Sequence, residues 1–102
     1  MYQYKATINR VVDGDTVNLT IDLGFRLTYT ANCRLAGINA PEMNTPEGKA
    51  SKEWLMGYLM PGLAYDITST GLDKYGRPIV ELFFNKMSIN QKMVEEGYAA
   101  KY

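Results

Sequence analysis

The apolar and polar positions in the first part of the chain alternate as they do in strands. In "TVNLTIDL", Val17, Leu19, Ile21 and Leu23 alternate with Thr16, Asn18, Thr20 and Asp22, the two-residue period of a half-buried strand. "LTYTANCRL" repeats the pattern. Leu27, Tyr29, Ala31, Cys33 and Leu35 share one face and Thr28, Thr30, Asn32 and Arg34 the other, so the two runs joined at Gly24 predict a long hairpin. Arg34 then points away from the core-facing set. Upstream, Tyr2, Tyr4, Ala6 and Ile8 alternate on even positions while Val11 carries the apolar face onto an odd one, which predicts a bent or bulged first strand. Asp13-Gly14 reads as a tight turn. Asp15 is in register with Val17 and Leu19, so a carboxylate caps the inward face of the second strand and needs a cation or a donor beside it.

The period changes after Glu42. "TPEGKASKEWLMGYLMPG" spaces Ala50, Trp54, Leu55, Tyr58 and Leu59 three and four apart, which predicts a helix stopped at Pro61-Gly62, with Trp54 in the core. Two further strands are predicted over 63–70 and 77–84, joined by the turn residues of "GLDKYG". Pro78 suggests an edge position for the last of them. Ser88 with Gln91 reads as a capping box opening "SINQKMVEEG", and Gly97 ends that short helix. Three strands, a helix, two strands and a helix are the elements of a mainly β fold with α, the five-stranded OB-fold Greek-key barrel, which often binds oligonucleotides.

Composition restricts the chemistry. A chain of 102 residues, without repeats or linkers, makes one domain over 1–102. The absence of histidine removes the commonest general base and every imidazole triad, which leaves carboxylates, Arg, Lys and Tyr for any catalysis. Cys33 is the only cysteine, so no internal disulfide or cysteine metal cluster forms. Eleven basic and eleven acidic side chains cancel, so a phosphate ligand would require basic residues focused locally. No apolar run is long enough to span a membrane and "MYQYKATINR" lacks a signal-peptide core, which leads us to expect a cytoplasmic protein.

Four pieces occur in order: "VVDGDTV", "RLAGINAPE", "DKYGRP" and "NQKMVEEGYA". Together they resemble staphylococcal nuclease-like (thermonuclease) domains over nearly the whole chain. The resemblance implies a calcium-dependent nuclease that attacks DNA or RNA with water at phosphorus and leaves 3′-phosphate ends. In that reading Asp15 is a metal ligand with Asp13 in support, and Arg34 and Arg77 are the arginines on the phosphate. Glu42 activates or orients the water, brought back towards Arg34 by a small-residue turn that Pro41 stiffens. Lys74 and Tyr75 touch the terminal phosphate of the nucleotide. Such groups suit the task, because carboxylates hold hard cations and guanidiniums clamp phosphate bidentately.

The chain also departs from the family pattern. Asn39 stands where well-known members have a metal-binding aspartate, which keeps one neutral oxygen but loses a charge. Ala40 replaces a threonine whose carbonyl binds the metal, and the carbonyl survives. "MNTPEG" is shorter than the lysine-bearing loop of the secreted enzyme, and "GYAAKY" stops before the family's third helix, which leaves a barrel face that a second copy could cover in a homo-oligomer. The trimmed loops would suit a phage or mobile-element nuclease. Plainer readings stand beside these: Asp13 as a turn residue, Arg34 and Arg77 as solvated strand positions, Glu42 as a loop start. The rival function is a non-catalytic OB module that binds single-stranded nucleic acid or a partner protein.

Overall fold

The computed structural model describes residues 2–102. In chain order the elements are β1 (Tyr2–Asp13), β2 (Thr16–Gly24), β3 (Leu27–Leu35), β4 (Ile38–Asn39), α1 (Pro46–Tyr58), β5 (Ala64–Leu72), β6 (Pro78–Phe84), β7 (Met87–Ser88), α2 (Ile89–Glu95) and β8 (Ala100–Lys101). Strands β3, β2, β1, β5 and β6 are neighbours in that order, each pair antiparallel, and the ring closes through a parallel pairing of β3 with β6. This is the five-stranded OB barrel with two helices that the pattern predicts. The closing pairs are Arg34 with Ile79 and Leu35 with Val80.

Alternation fills the barrel with Ile8, Leu19, Leu35, Ile67 and Leu82, and Leu55 and Met93 bring the helices onto it. The bend in β1 is present as register shifts between Ile8 and Arg10 and between Val11 and Asp13, which keep Val11 inside. Thr45 caps α1 by accepting from Gly48 N at 3.1 Å, with Pro46 as the first helical residue, and Ser88 caps α2 by accepting from Gln91 N at 3.2 Å. Trp54 lies at the margin of the core, half-buried against Tyr58 and Tyr98 with ring centroids 4.5 and 5.6 Å away.

Three sequence readings are corrected. Pro78 does not mark an edge strand, because β6 pairs with β5 on one side and β3 on the other; the proline is tolerated as the first residue of the strand. The β2–β3 hairpin does not bury its apolar face to the tip, since Leu23, Leu27 and Tyr29 are exposed where the barrel has no facing strand. Gly24 is paired within the ladder, so the turn itself is made by Phe25 and Arg26, at φ of 54° and 64°. The short ladders β4 with β8 and β6 with β7 are below the length at which periodicity is legible.

Candidate active site

The closing pair of the barrel decides where the candidate residues meet. Because Arg34 lies beside Ile79 on parallel strands, Arg77, two residues earlier, is delivered to the same end of the barrel. Arg34 and Arg77 line one cleft of about 430 Å³ with Asn39, Lys74, Tyr75 and Asp73. Three basic side chains line it, against Asp73 in the cleft and Asp15 on Arg34 beside it, so a neutral chain keeps a small local excess of positive charge here. A second cleft, of about 460 Å³, lies between β6, α2 and β8 and is lined by Glu81, Glu95 and Lys101 without an arginine.

Asp15 finds the donors that its inward position requires. Its Oδ2 lies 3.5 Å from Arg34 Nη1 and accepts the Ala40 N–H at 3.0 Å, while Oδ1 accepts from the Thr16 hydroxyl at 3.3 Å. Both side chains of the pair are 19 % exposed. Arg34 also donates from Nη1 to the Leu35 and Asp15 carbonyls and from Nη2 to Asn39 Oδ1. The guanidinium is thus held between the Asp15 carboxylate and the Asn39 amide oxygen.

Asp13 stands behind Asp15 and accepts its N–H through Oδ1 at 3.1 Å. Burial, together with the neighbouring Asp15 carboxylate, raises the Asp13 pKa from its ordinary value. Gly14 between them is required by a close approach: a Cβ there would lie 2.7 Å from Ala40 Cβ and 2.8 Å from Ser51 Cβ. The turn read as a Gly14 preference is therefore a packing junction of β1, Ala40 and α1.

Glu42 is exposed, does not line the arginine cleft, and is fixed by its backbone. Its carbonyl accepts the Thr45 N–H at 3.0 Å and the Thr45 hydroxyl at 2.6 Å. The same carbonyl lies against Gly48, where a Cβ would come 2.5 Å from the carbonyl carbon and closer still to its oxygen.

Arg77 is aimed by Asp73, whose Oδ2 accepts from Arg77 Nε at 2.8 Å and whose Oδ1 accepts the N–H groups of Tyr75 and Arg77, both at 2.9 Å. Desolvation is the largest single influence on the Asp73 carboxyl and pushes its pKa up, but the hydrogen bonds from Arg77 and Tyr75 and the charge of Arg77 together outweigh it and hold the pKa below its ordinary value. Tyr75 is exposed, with Lys74 Nζ 5.2 Å and the Arg77 guanidinium carbon 5.6 Å from its ring centre. Asp73, Gly14 and Gly48 are positioning residues that the sequence reading passed over as turn or helix residues. Only Asp73 carries a local signal, its spacing of four before Arg77.

A hard divalent cation requires oxygen ligands. Asp15 Oδ2 and Asn39 Oδ1 converge on one cationic group, so hard oxygens of the right kind are gathered, with a single formal negative charge between them. Among the described residues no group of three or more His, Cys, Asp or Glu side chains gathers to hold a metal. The set therefore fits such a cation only with water or phosphate oxygens completing its coordination. No helix among the described residues is long and apolar enough to cross a membrane.

Known proteins resemble this chain over much of its length. The family model described as staphylococcal nuclease homologue matches residues 32–102. Endonuclease YhcR of Bacillus subtilis (strain 168) is 31% identical over 114 residues, covering 98% of this chain and 9% of the relative. An uncharacterized endonuclease of Haemophilus influenzae is 30% identical over 93 residues, with coverage of 91% and 49%. The Thermonuclease of Staphylococcus hyicus is 31% identical over 99 residues, with coverage of 88% and 54%. The chain thus spans about half of the last two relatives and a small part of the first.

Proposed function

The chain belongs to the family of staphylococcal nuclease homologues, and from that premise we propose that it is a nuclease hydrolysing phosphodiester bonds in DNA or RNA. The observation that carries this reading is the meeting of Arg34 and Arg77, from separate strands, in one positively charged cleft. Two guanidiniums are suited to a phosphate that gains charge as it is attacked, because each offers a planar fork of donors to its oxygens. Arg34 is released to the phosphate by exchanging its bonds to Asp15 and Asn39. Arg77 is kept in place by Asp73. Glu42 takes a proton from the attacking water, whose oxygen bonds to phosphorus as the bond to the 5′ oxygen breaks; the 5′ oxygen leaves as a hydroxyl with a proton from solvent, and the phosphate remains on the 3′ side.

Calcium is the cation this donor set would take, with Asp15, Asn39 and the Ala40 carbonyl as its protein ligands and Asp13 supporting Asp15. When bound it adds positive charge beside the phosphate. Lys74 and Tyr75 border the cleft where a terminal phosphate would lie.

Asn39 favours a second reading, a module that binds single-stranded nucleic acid without cutting it, because this position supplies no charge to a metal and its oxygen is already engaged by Arg34. Cleavage of a fluorescent single-stranded DNA, with millimolar calcium against chelator, separates the two. The nuclease reading expects calcium-dependent cutting that falls by roughly 100-fold or more in Arg34→Ala and Glu42→Ala with folding retained. Binding without cutting under either condition would establish the second reading.

A further inference from the structure

We propose that the outer edge of β3 is a self-pairing edge, through which two copies of this chain join as an antiparallel dimer over residues 27–31. The inference is independent of the nuclease reading. One side of β3 is paired with β2 along its length, but the other meets β6 only at Arg34 and Leu35. Over residues 27–33 the second edge therefore has no strand partner among the described residues. A strand edge left so presents a row of unpaired main-chain donors and acceptors to any matching strand. Protective devices are few on it: "LTYTA" has no charge and no proline, and the one register shift of the β2–β3 ladder, opposite Leu27 and Thr28, puts its extra residue on β2 and leaves β3 itself regular.

The side chains indicate what covers this edge. Leu27 is 60 % and Tyr29 46 % exposed, although both belong to the apolar face whose other end, Cys33 and Leu35, is buried. Tyr29 borders an apolar groove of about 210 Å³ with Leu23, Tyr2 and Leu72. On the opposite face the polar side chains already form cross-strand chains, Asn9 to Asn18 to Asn32 at 2.9 Å each and Thr20 to Thr30 at 3.0 Å, and these stop at β3.

A second copy completes both faces. With a two-fold axis at Tyr29, Tyr29 of each copy faces the other, Leu27 lies opposite the half-buried Ala31, and Thr28 lies opposite Thr30. Large meets small, aromatic meets aromatic, and hydroxyl meets hydroxyl, with no charge buried. An axis one residue further on would set Leu27 against Cys33, which is already buried in its own barrel, and would leave less apolar surface to cover. The Tyr29 axis also keeps the added strand clear of the β3–β6 closure. Five residues a side is far below the 20–30 of a standard interface, so the dissociation constant should be on the order of 100 μM.

The test is sedimentation equilibrium of the 102-residue chain from about 10 to about 500 μM, with two variants at exposed positions. Thr28→Lys with Thr30→Lys sets like charges opposite one another and is expected to give a monomer throughout. Thr28→Lys with Thr30→Glu sets opposite charges across the seam and is expected to dimerise at least as well as the wild type. Circular dichroism checks that both fold. A wild type that stays monomeric at the highest concentration overturns the proposal. So does a dimer of equal strength in all three proteins, or an assembly that grows past two copies, which would place the contact on another face.

Discussion

Gly48→Ala separates what the sequence predicts from what the structure dictates. Gly48 is the third residue of α1, and helix propensity alone says that alanine there should stabilise by about 1 kcal/mol. The structure says otherwise. The new methyl would lie 2.5 Å from the Glu42 carbonyl carbon and 2.9 Å from the Pro41 carbonyl oxygen, against an ordinary carbon contact of about 3.5 Å. The Glu42 backbone would have to retreat by about 1 Å. That segment also carries the two bonds from Thr45, each contributing about 1 kcal/mol, and Thr45 itself caps the helix at Gly48. Overpacking adds about 1–3 kcal/mol. Against the gain in propensity the balance is a loss of about 3 kcal/mol, which lowers the melting temperature by roughly 10–20 °C for a domain of this size. Displacing Glu42 by about 1 Å should also lower cleavage by roughly 100-fold. Thermal and urea denaturation, followed by the cleavage assay well below the melting point, measure both. A Gly48→Ala protein as stable as the wild type, or more so, would refute the packing argument.

Asn39→Asp adds a second negative charge beside Asp15, worth about 2 kcal/mol to a divalent ion at 4 Å in a watery site, partly offset by tighter holding of Arg34; calorimetric titration should show calcium affinity raised roughly tenfold, and unchanged affinity would remove position 39 from the metal site. Asp73→Ala frees Arg77 from the carboxylate that aims it, so cleavage should fall by roughly tenfold or more while circular dichroism is unchanged, and salt or phosphate-affinity measurements should show weaker anion binding. The two shifted carboxylates act with opposite sign on acid stability. The lowered pKa of Asp73 stabilises above the ordinary carboxylate range and that contribution is lost as pH falls through the lowered value, whereas the raised pKa of Asp13 costs stability once pH rises through it. Asp13→Asn, which keeps the oxygen that accepts the Asp15 N–H, should therefore raise neutral-pH stability in urea titrations and leave stability at acid pH little changed.

What the sequence determined by itself is whatever depends on neighbours along the chain. Alternation placed Val17, Leu19 and Cys33 inside, and the shift of apolar parity at Val11 announced the bulge in β1. Ser88 was visible as a cap because a cap is a local bond. Asp15, an inward charge, called for a cation or a donor before any partner was visible, and Arg34 and the Ala40 N–H answer it.

Tertiary structure alone decided where strands end and which residues far apart in the chain touch. Leu27 and Tyr29 have the same pattern as Cys33, and they are exposed only because no strand faces them. Pro78 is interior because β3 reaches β6 at two residues, the same contact that brings Arg34 and Arg77 into one cleft. Gly14 and Gly48 read locally as a turn and a weak helix position, yet each is needed because another segment occupies the space a Cβ would take. Periodicity records which face of an element is apolar; what that face meets is set by packing between segments distant in sequence, and the candidate site is built from such meetings.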